Sequence, residues 1–275
     1  MKKLIALVLA ALMVMSLMAA CGAANDTNTT TGATTGETTG EAAFQTSVPG
    51  KLVMATNAAF PPYEYLEGGK IVGIDAEIAQ AIADKLGLTL KIDDMEFDSI
   101  TEAVKGGKAD IGLAGMTVTD ERKEEVDFTV SYATGVQVII VTEDSAITSV
   151  DDLFADGAMT TIGVQRNTTG DLYTTWDLED QGKAKIERYS KGADAVQALK
   201  TGKVDCVVID NEPAKAFVDA VEGLKILETE YVEEQYAAAM NKENQALYEA
   251  VNAALQALIE DGTVQGIIDK YIPAE

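Results

Sequence analysis

The hydrophobic positions of residues 51–114 alternate between two spacings. One apolar residue in every fourth position predicts the buried face of a helix at Ile74, Ile78, Ile82 and Leu86. Short continuous apolar runs on either side have the length of buried strands. The predicted order is strand, helix, strand, helix, strand, over residues 51–56, 75–86, 88–92, 99–105 and 109–114. This order indicates βαβ units and a mainly parallel sheet.

The same order of elements begins again later in the chain, over residues 161–165, 171–178, 193–200 and 204–209. The segment AVKGGKADIGLAG (103–115) matches ALKTGKVDCVVID (198–210) without a gap. Helix–glycine–strand turns converge on similar sequences, so the match has two explanations, convergence or two similar α/β lobes. A further strand and two helices are predicted over residues 236–240, 244–260 and 264–271.

Gly115 and Asp210 take equivalent positions in the two copies, each just beyond a predicted buried strand. Ligands of open α/β sheets bind outside the carboxyl ends of the strands. Two such ends that face each other would enclose a cleft between lobes, so we expect the binding site there.

The N-terminal residues have the pattern of an export signal. Two lysines precede an apolar run over residues 4–17, and small residues lead to Cys21, which predicts a signal peptide over 1–20. The run is shorter than the roughly 20 residues of a transmembrane helix. The surroundings of Cys21 are similar to a bacterial lipobox, which predicts lipidation, and an ordinary secretory signal is the alternative. Residues 21–47, rich in Thr, Gly and Ala, predict a disordered tether. We expect an extracytoplasmic protein that contacts the membrane through its lipid alone.

The chain carries 45 acidic and 21 basic residues, a net charge of −24. Such a surface argues against nucleic acid and anionic lipid headgroups as partners. Histidine is absent, which removes the commonest general base and the commonest metal ligand. Cys206 lies in the apolar run VDCVVI, which favours a buried, unreactive thiol. We expect no metal and no cofactor.

Six segments together resemble the polar amino-acid-binding proteins, the extracellular solute-binding proteins of ABC importers. The segments are MATNAAFPPYEY (54–65), GIDAEIAQAIADKLG (73–87), MEFDSI (95–100), GMTVTDERKEEVDFTVSYATG (115–135), GVQRNTTGD (163–171) and VVIDNEPAKAF (207–217). The resemblance implies an α/β, two-lobed fold of the periplasmic-binding-protein type II. Its implied parts are a first lobe over 48–137 plus 241–275, a second lobe over 141–235, and hinge strands at 138–140 and 236–240.

The resemblance also implies a site for the α-carboxylate of an amino acid, formed by Arg122, Thr117, Thr168 and Thr169. The guanidinium of an arginine matches a carboxylate with two parallel hydrogen bonds. From the residues alone, the alternatives are a surface arginine in a charged helix, a threonine at a strand end, and threonines that cap a helix N-terminus.

Asp210 and Gly115 are implied to hold the α-ammonium group, with capping of the following helix as the alternative for Asp210. The side-chain pocket is implied at Asn57, Phe60, Phe97 and Gln165, where core packing is the alternative for Phe97. Relatives selective for cationic amino acids have an acid at the position of Asn57. The neutral Asn57 and Gln165 therefore favour a polar uncharged ligand such as glutamine.

The expected function is capture of an amino acid between two closing lobes and its delivery to an ABC permease. The protein is expected to be a monomer and not an enzyme. One alternative is a periplasmic dehydratase-type enzyme, for which Glu64 or Glu212 would supply the positioned acid. The other is a ligand-sensing domain, usually fused to a transmembrane signalling region, whereas nothing follows Glu275 here.

Overall fold

The computed structural model describes residues 44–157 and 159–273. The predicted signal peptide, Cys21 and the tether as far as residue 43 lie outside the described residues. Residues 44–47, which the sequence assigned to the tether, contact the folded domain: the Ser47 N–H donates to Asp110 at 2.6 Å, and Phe44 packs against the core. Within the described ranges, none of the helices has the length and apolar character needed to cross a membrane.

Twelve strands form among the described residues, most of them where short apolar runs occur. They are β1 (Lys51–Thr56), β2 (Ala59–Phe60), β3 (Glu64–Glu67), β4 (Lys70–Val72), β5 (Thr89–Asp94), β6 (Ile111–Gly112), β7 (Asp127–Thr142), β8 (Thr160–Gln165), β9 (Ala184–Tyr189), β10 (Cys206–Asp210), β11 (Leu224–Ile226) and β12 (Val232–Met240).

The α-helices connect or follow these strands. They are α1 (Ile74–Leu86), α2 (Ile100–Lys105), α3 (Asp120–Glu125), α4 (Asp151–Phe154), α5 (Thr169–Thr174), α6 (Gly192–Lys200), α7 (Asn211–Ala220), α8 (Gln245–Glu260) and α9 (Thr263–Tyr271). Gly87 ends α1 in the left-handed conformation, with φ of 69°, where a glycine is unstrained.

The main sheet has the order β5-β1-β6-β12-β7-β10-β8-β9, with β11 paired to β7. Parallel pairing joins β5, β1 and β6 on one side and β9, β8 and β10 on the other. The two sides are therefore similar parallel half-sheets, separated by the antiparallel pair β12 and β7. The strands β2, β3 and β4 form a separate small sheet.

The register along β7 brings the carboxyl ends of the half-sheets toward each other. Strand β6 lies level with the start of β7, because Gly112 pairs with Ala239 and Ala239 with Phe128. Strand β10 runs the opposite way beside the far part of β7, where Asp210 pairs with Gln137. The ends of β6 and β10 thus approach the middle of β7 from opposite directions. The space between these ends is where the sequence predicted the ligand-binding cleft.

The sequence repeat corresponds to a repeat of structure. Asp110 receives a hydrogen bond from Val53 N–H at 2.8 Å and returns its own N–H to the Val53 carbonyl. Asp205 makes the same pair of contacts with Thr161, at 2.7 Å each. In each copy, the aspartate joins a helix–glycine–strand turn to the neighbouring parallel strand. Convergence of turn sequences alone does not require such matched long-range contacts, so two similar α/β units are the better explanation.

Three clusters of buried apolar side chains form the core, two of them within the half-sheets and one that extends across the long strands. Cys206 belongs to the second half-sheet's cluster, fully buried, and desolvation raises the pKa of its thiol. The strands β2, β3, β4, β9 and β11 were not predicted from the sequence, and β7 is longer than predicted. Strand β7 is continuous for 16 residues, whereas the sequence predicted a strand only at 138–140, because it pairs with β12 over its first part and with β10 and β11 over its last part.

We expect Asp110→Asn to lower the free energy of unfolding by about 1–3 kcal/mol, since a buried acceptor of several donors is replaced by an amide. The Asp110 carboxylate is buried and accepts from Ser47 N–H, Ser47 Oγ and Val53 N–H. Urea unfolding measures the change. Asp205→Asn is the matched control, because Asp205 takes the same place in the second copy and is exposed. It should lower the free energy of unfolding by less than Asp110→Asn does. Equal decreases would contradict the role given to burial.

Candidate functional site

A narrow cavity lies where the carboxyl ends of the two half-sheets converge. Its walls come from the carboxyl ends of β8 and β10 and the segments that follow β1, β5 and β6, together with β2, β3, α3 and the start of α5. The lining residues are Asn57, Phe60, Glu64, Phe97, Ala114, Gly115, Thr117, Arg122, Gln165, Thr168, Thr169 and Asp210. Every ligand-contacting residue predicted from the sequence is in this set.

Arg122 is the buried member of an otherwise charged and largely exposed helix, α3, and is 7% exposed. Its guanidinium donates to the Thr117 carbonyl at 2.8 Å and to the Asn167 carbonyl at 2.9 Å, and it lies 5.3 Å from the Phe97 ring centroid. Desolvation lowers the pKa of Arg122 to about 10, although nearby carboxylates, Glu234 first, oppose the shift. The alternative of a surface arginine is therefore wrong.

The threonines of the site are held by defined hydrogen bonds. Thr168 caps α5, since its hydroxyl accepts from Asp171 N–H at 3.4 Å and donates to the Gln165 carbonyl at 2.8 Å. The capping alternative is thus confirmed for Thr168, which also lines the cavity. Thr169 and Thr117 instead donate their hydroxyl protons to Glu234, at 2.9 and 3.1 Å.

Asp210 occupies the N-cap position of α7, but its side chain makes no capping hydrogen bond. Its carboxylate accepts from Gln137 Nε2 at 2.8 Å and from the Tyr236 hydroxyl. Burial raises the pKa of Asp210 well above its usual value, and the charge of Glu234 adds to the effect. Burial therefore destabilises the charged form of this carboxylate at the cavity, and a nearby cation would offset that cost.

Asn57 and Gln165 meet across the cavity. Gln165 Nε2 donates to Asn57 Oδ1 at 3.0 Å, and Asn57 Nδ2 donates to the Met95 carbonyl at 2.7 Å. Gln165 Nε2 also lies 3.3 Å from the Ser190 carbonyl. The two side-chain amides thus form hydrogen bonds with each other and with backbone carbonyls. The bond between Gln165 and Asn57 joins the first half-sheet to the second.

The aromatic walls are Phe60 and Phe97, which are 7% and 8% exposed. Phe60 packs against Gly115, where a Cβ would lie 2.7 Å from its ring and where φ is 54°. A glycine is therefore required at 115 by both the close approach and the backbone angle. Phe97 also packs in the core of the first half-sheet, so its two predicted roles hold together.

Glu64 also lines the cavity, although the sequence named it only as a possible acid of the alternative enzyme. The side chain is 0% exposed, and neither carboxylate oxygen accepts a hydrogen bond from a donor among the described residues, although the Asp75 carboxyl lies close enough to share a proton with it. Desolvation raises the pKa of Glu64 well above its usual value, and the nearby Asp75 adds to this. Asp75 is also buried, accepts from Gly115 N–H and the Tyr132 hydroxyl at 2.8 Å each, and has its pKa raised by desolvation to about 6.

The site holds one cation and an excess of acids. Its lining includes Arg122 and the carboxyls of Glu64 and Asp210, while Asp75 and Glu234 accept hydrogen bonds from the lining residues Gly115 and Thr117. Buried carboxylates with raised pKa values are characteristic of sites short of positive charge. The cavity is therefore suited to a ligand that brings cationic groups.

Three buried polar residues at the site were not predicted from the sequence: Gln137, Glu234 and Asp75. Gln137 carried a usable signal, because it interrupts the apolar run VQVIIV with a polar residue that must find partners when buried. Glu234 stands in the acidic run VEEQY, which is typical of a solvated face, and Asp75 stands where a helix N-terminus favours an acid. Local sequence offered no sign that either carboxylate is buried.

Comparison with known proteins finds relatives that match most of the chain. The family model of bacterial extracellular solute-binding proteins, family 3, matches residues 52–274. The arginine-binding extracellular protein ArtP of Bacillus subtilis is 33% identical over 228 residues, which cover 82% of this chain and 87% of that protein.

Two solved structures of an ancestral arginine-binding protein are similar throughout the domain. One, bound to arginine, is 38% identical with a TM-score of 0.75 and covers 81% of this chain and 98% of its own. The other, bound to glutamine, is 36% identical with a TM-score of 0.76 and covers 82% and 100%.

The chain belongs to the bacterial extracellular solute-binding proteins, family 3. Its fold is the periplasmic-binding-protein-like α/β fold expected from the sequence. Its place of action is extracytoplasmic.

The buried acids predict a dependence of stability on pH. Glu64 and Asp75 have raised pKa values in the folded protein, so the folded state keeps protons that the unfolded chain has lost. Stability should therefore fall as the pH rises from about 4.5 through about 6, by about 1.4 kcal/mol per pH unit for each such carboxyl.

Glu64→Gln should reduce this slope, as measured by urea unfolding between pH 4.5 and 7. The exposed Glu67→Gln is the matched control and should leave the slope unchanged. An identical slope in Glu64→Gln and the parent protein would show that Glu64 is ionised throughout.

Proposed function

We propose that this protein captures an L-amino acid with a cationic side chain, arginine being the first candidate, and delivers it to an ABC import permease. The observation that supports this best is the buried Glu64 carboxyl, which lines the cavity and accepts no hydrogen bond from a donor among the described residues. A buried carboxylate of this kind is stabilised by a cation.

In this proposal Arg122 binds the α-carboxylate. The guanidinium has five N–H donors, and backbone carbonyls hold it in place through Nη1 and Nη2 at 2.8 and 2.9 Å. The remaining donors can form a charge-assisted pair with a carboxylate. Thr117, Thr168 and Thr169 line the same part of the cavity and supply hydroxyl and backbone donors.

The α-ammonium group would bind Asp210, with the Gly115 carbonyl as a second acceptor. Asp210 is 6% exposed and lies at the end of β10, on the opposite side of the cavity from the β6 end that carries Gly115. A cation there offsets the desolvation that raises the pKa of Asp210.

The distal end of the ligand would reach Glu64, with its aliphatic stem between Phe60 and Phe97. The sequence favoured a neutral ligand such as glutamine because Asn57 and Gln165 are amides. These amides are hydrogen-bonded to each other at 3.0 Å, and in this proposal the buried Glu64, rather than position 57, supplies the acid for the cationic group. Relatives named for arginine support a cationic ligand, and the neighbour bound to glutamine keeps glutamine as the second candidate.

Ligand anchors are divided between the two half-sheets, which supports capture by closure. Arg122 and Thr117 follow β6, whereas Asp210 and Thr169 follow β10 and β8. A ligand that touches both sets favours the arrangement in which they are close. The lobe boundaries, with crossings in β7 and β12, remain part of this proposal.

We also keep as proposals the lipid attachment at Cys21, the monomeric state and a role in binding without catalysis. Glu212, one acid considered for an enzyme, is paired with Lys215 at 2.8 Å and does not line this cavity. The relatives named above are binding proteins, which supports capture over catalysis.

Glu64→Gln should weaken arginine binding at least about tenfold, because a hydrogen bond to a charged group contributes about 1.5–3 kcal/mol. The affinity for glutamine should change little, since the side-chain amide of that ligand needs no charged partner. Calorimetric titration of the domain with both amino acids measures this, with Glu67→Gln as control. Unchanged arginine affinity would remove Glu64 from the ligand's distal end.

Arg122→Ala should weaken binding of every amino acid by about 2–5 kcal/mol, because it leaves the ligand carboxylate without its cation. Arg166→Ala is the control: that side chain is about half exposed and pairs with Asp98 at 3.5 Å. Circular dichroism verifies that both variants fold. Parent-like affinity in a folded Arg122→Ala protein would contradict the carboxylate site.

A further inference from the structure

Glu234 is a buried carboxylate directly behind the cavity, in β12, and is 4% exposed. One of its oxygens, Oε2, accepts three hydrogen bonds. They come from Thr169 Oγ1 at 2.9 Å, Gln137 Nε2 at 3.0 Å and Thr117 Oγ1 at 3.1 Å. The other oxygen, Oε1, accepts no hydrogen bond of good geometry among the described residues, although the Tyr173 hydroxyl lies near the carboxylate.

The two threonines come from different half-sheets. Thr117 follows β6, whereas Thr169 begins α5 after β8, and their hydroxyl oxygens are 3.5 Å apart. Glu234 reaches both from the strand that lies between the half-sheets. A single carboxylate oxygen therefore joins the two sides of the cavity.

Each threonine hydroxyl has one proton to donate. While that proton is donated to Glu234, the hydroxyl presents only lone pairs toward the cavity. Lone pairs repel a carboxylate, so these hydroxyls serve a ligand carboxylate only after their protons turn away from Glu234. Arg122 adds to the competition, because the charges of Glu234 and the guanidinium attract each other.

We propose that Glu234 competes with the ligand's carboxylate for the hydroxyl protons of Thr117 and Thr169, and so sets the affinity of the site below its maximum. The proposal rests on the carboxylate site described under Proposed function. Glu234 acts through the threonines and is thus a positioning residue. When the ligand binds, the hydroxyl protons turn to it, and Glu234 keeps its hydrogen bond from Gln137.

Such an internal competitor would aid release. A binding protein must give its ligand to the permease, and a carboxylate ready to take back the hydroxyl protons lowers the free energy of the ligand-released form. Burial makes the effect larger than it would be in water, because charge interactions are less screened there.

The test is calorimetric titration of Glu234→Gln with L-arginine and with L-glutamine. The amide has the same shape, lacks the charge and can itself donate to the threonine oxygens. Binding should tighten by about twofold to tenfold, as expected when a competing arrangement that holds half to nine-tenths of the molecules is removed. Glu233→Gln is the matched control, since the neighbouring side chain is exposed and carries the same charge; its affinity should equal that of the parent.

A double-mutant cycle with Thr169→Val separates competition from a merely structural role. Valine cannot donate a proton, so the gain from Glu234→Gln should shrink in that background. Equal or weaker binding by Glu234→Gln, or the same gain with and without Thr169, would overturn the proposal. If the parent protein binds glutamine tightly and arginine weakly, the proposed cationic ligand is wrong. The effect of Glu234→Gln is then judged from the affinity for glutamine, so the two proposals fail separately.

Discussion

The pairing of β7 with β12 determines where the side chains of the site lie. These strands are antiparallel to each other and to their neighbours β6 and β10, so the two parallel half-sheets point toward one another along β7. Parallel strands end in loops that bind ligands, and here two such sets of loops face across one space. Residues distant in sequence, such as Arg122 and Asp210, become walls of one cavity as a result.

The long strands also supply polar groups that no ligand loop contains. Gln137 of β7 and Glu234 of β12 lie behind the cavity and connect Thr117, Thr169 and Asp210 through hydrogen bonds of 2.8–3.3 Å. Because these groups are buried, each must be paired or be destabilising. The crossing strands are consequently both the connection between the half-sheets and the support that orients the ligand-facing side chains.

Electrostatics is the basis of the proposed cationic ligand. A buried guanidinium is stabilised by an anion and buried acids are stabilised by cations, so an amino acid with a positively charged side chain would satisfy both. The amide pair Asn57–Gln165 bridges the cavity instead of supplying charge. The proposal therefore depends on Glu64, and similar ancestral structures occur with arginine and with glutamine.

The sequence by itself determined most strands and helices of the main sheet, the repeat centred on Asp110 and Asp205 and, through the resemblance to a known family, most residues that line the cavity. Apolar periodicity and contiguous motifs carry these predictions along the chain. The strands β2, β3, β4, β9 and β11 were not predicted. Only the tertiary structure decided that Arg122 is buried, that Asp210 binds Gln137 and Tyr236 rather than capping a helix, and that Glu64, Asp75 and Glu234 surround the site. The reason is physical: whether a charged side chain faces water or the interior depends on packing between distant elements, which leaves no local periodic pattern in the sequence.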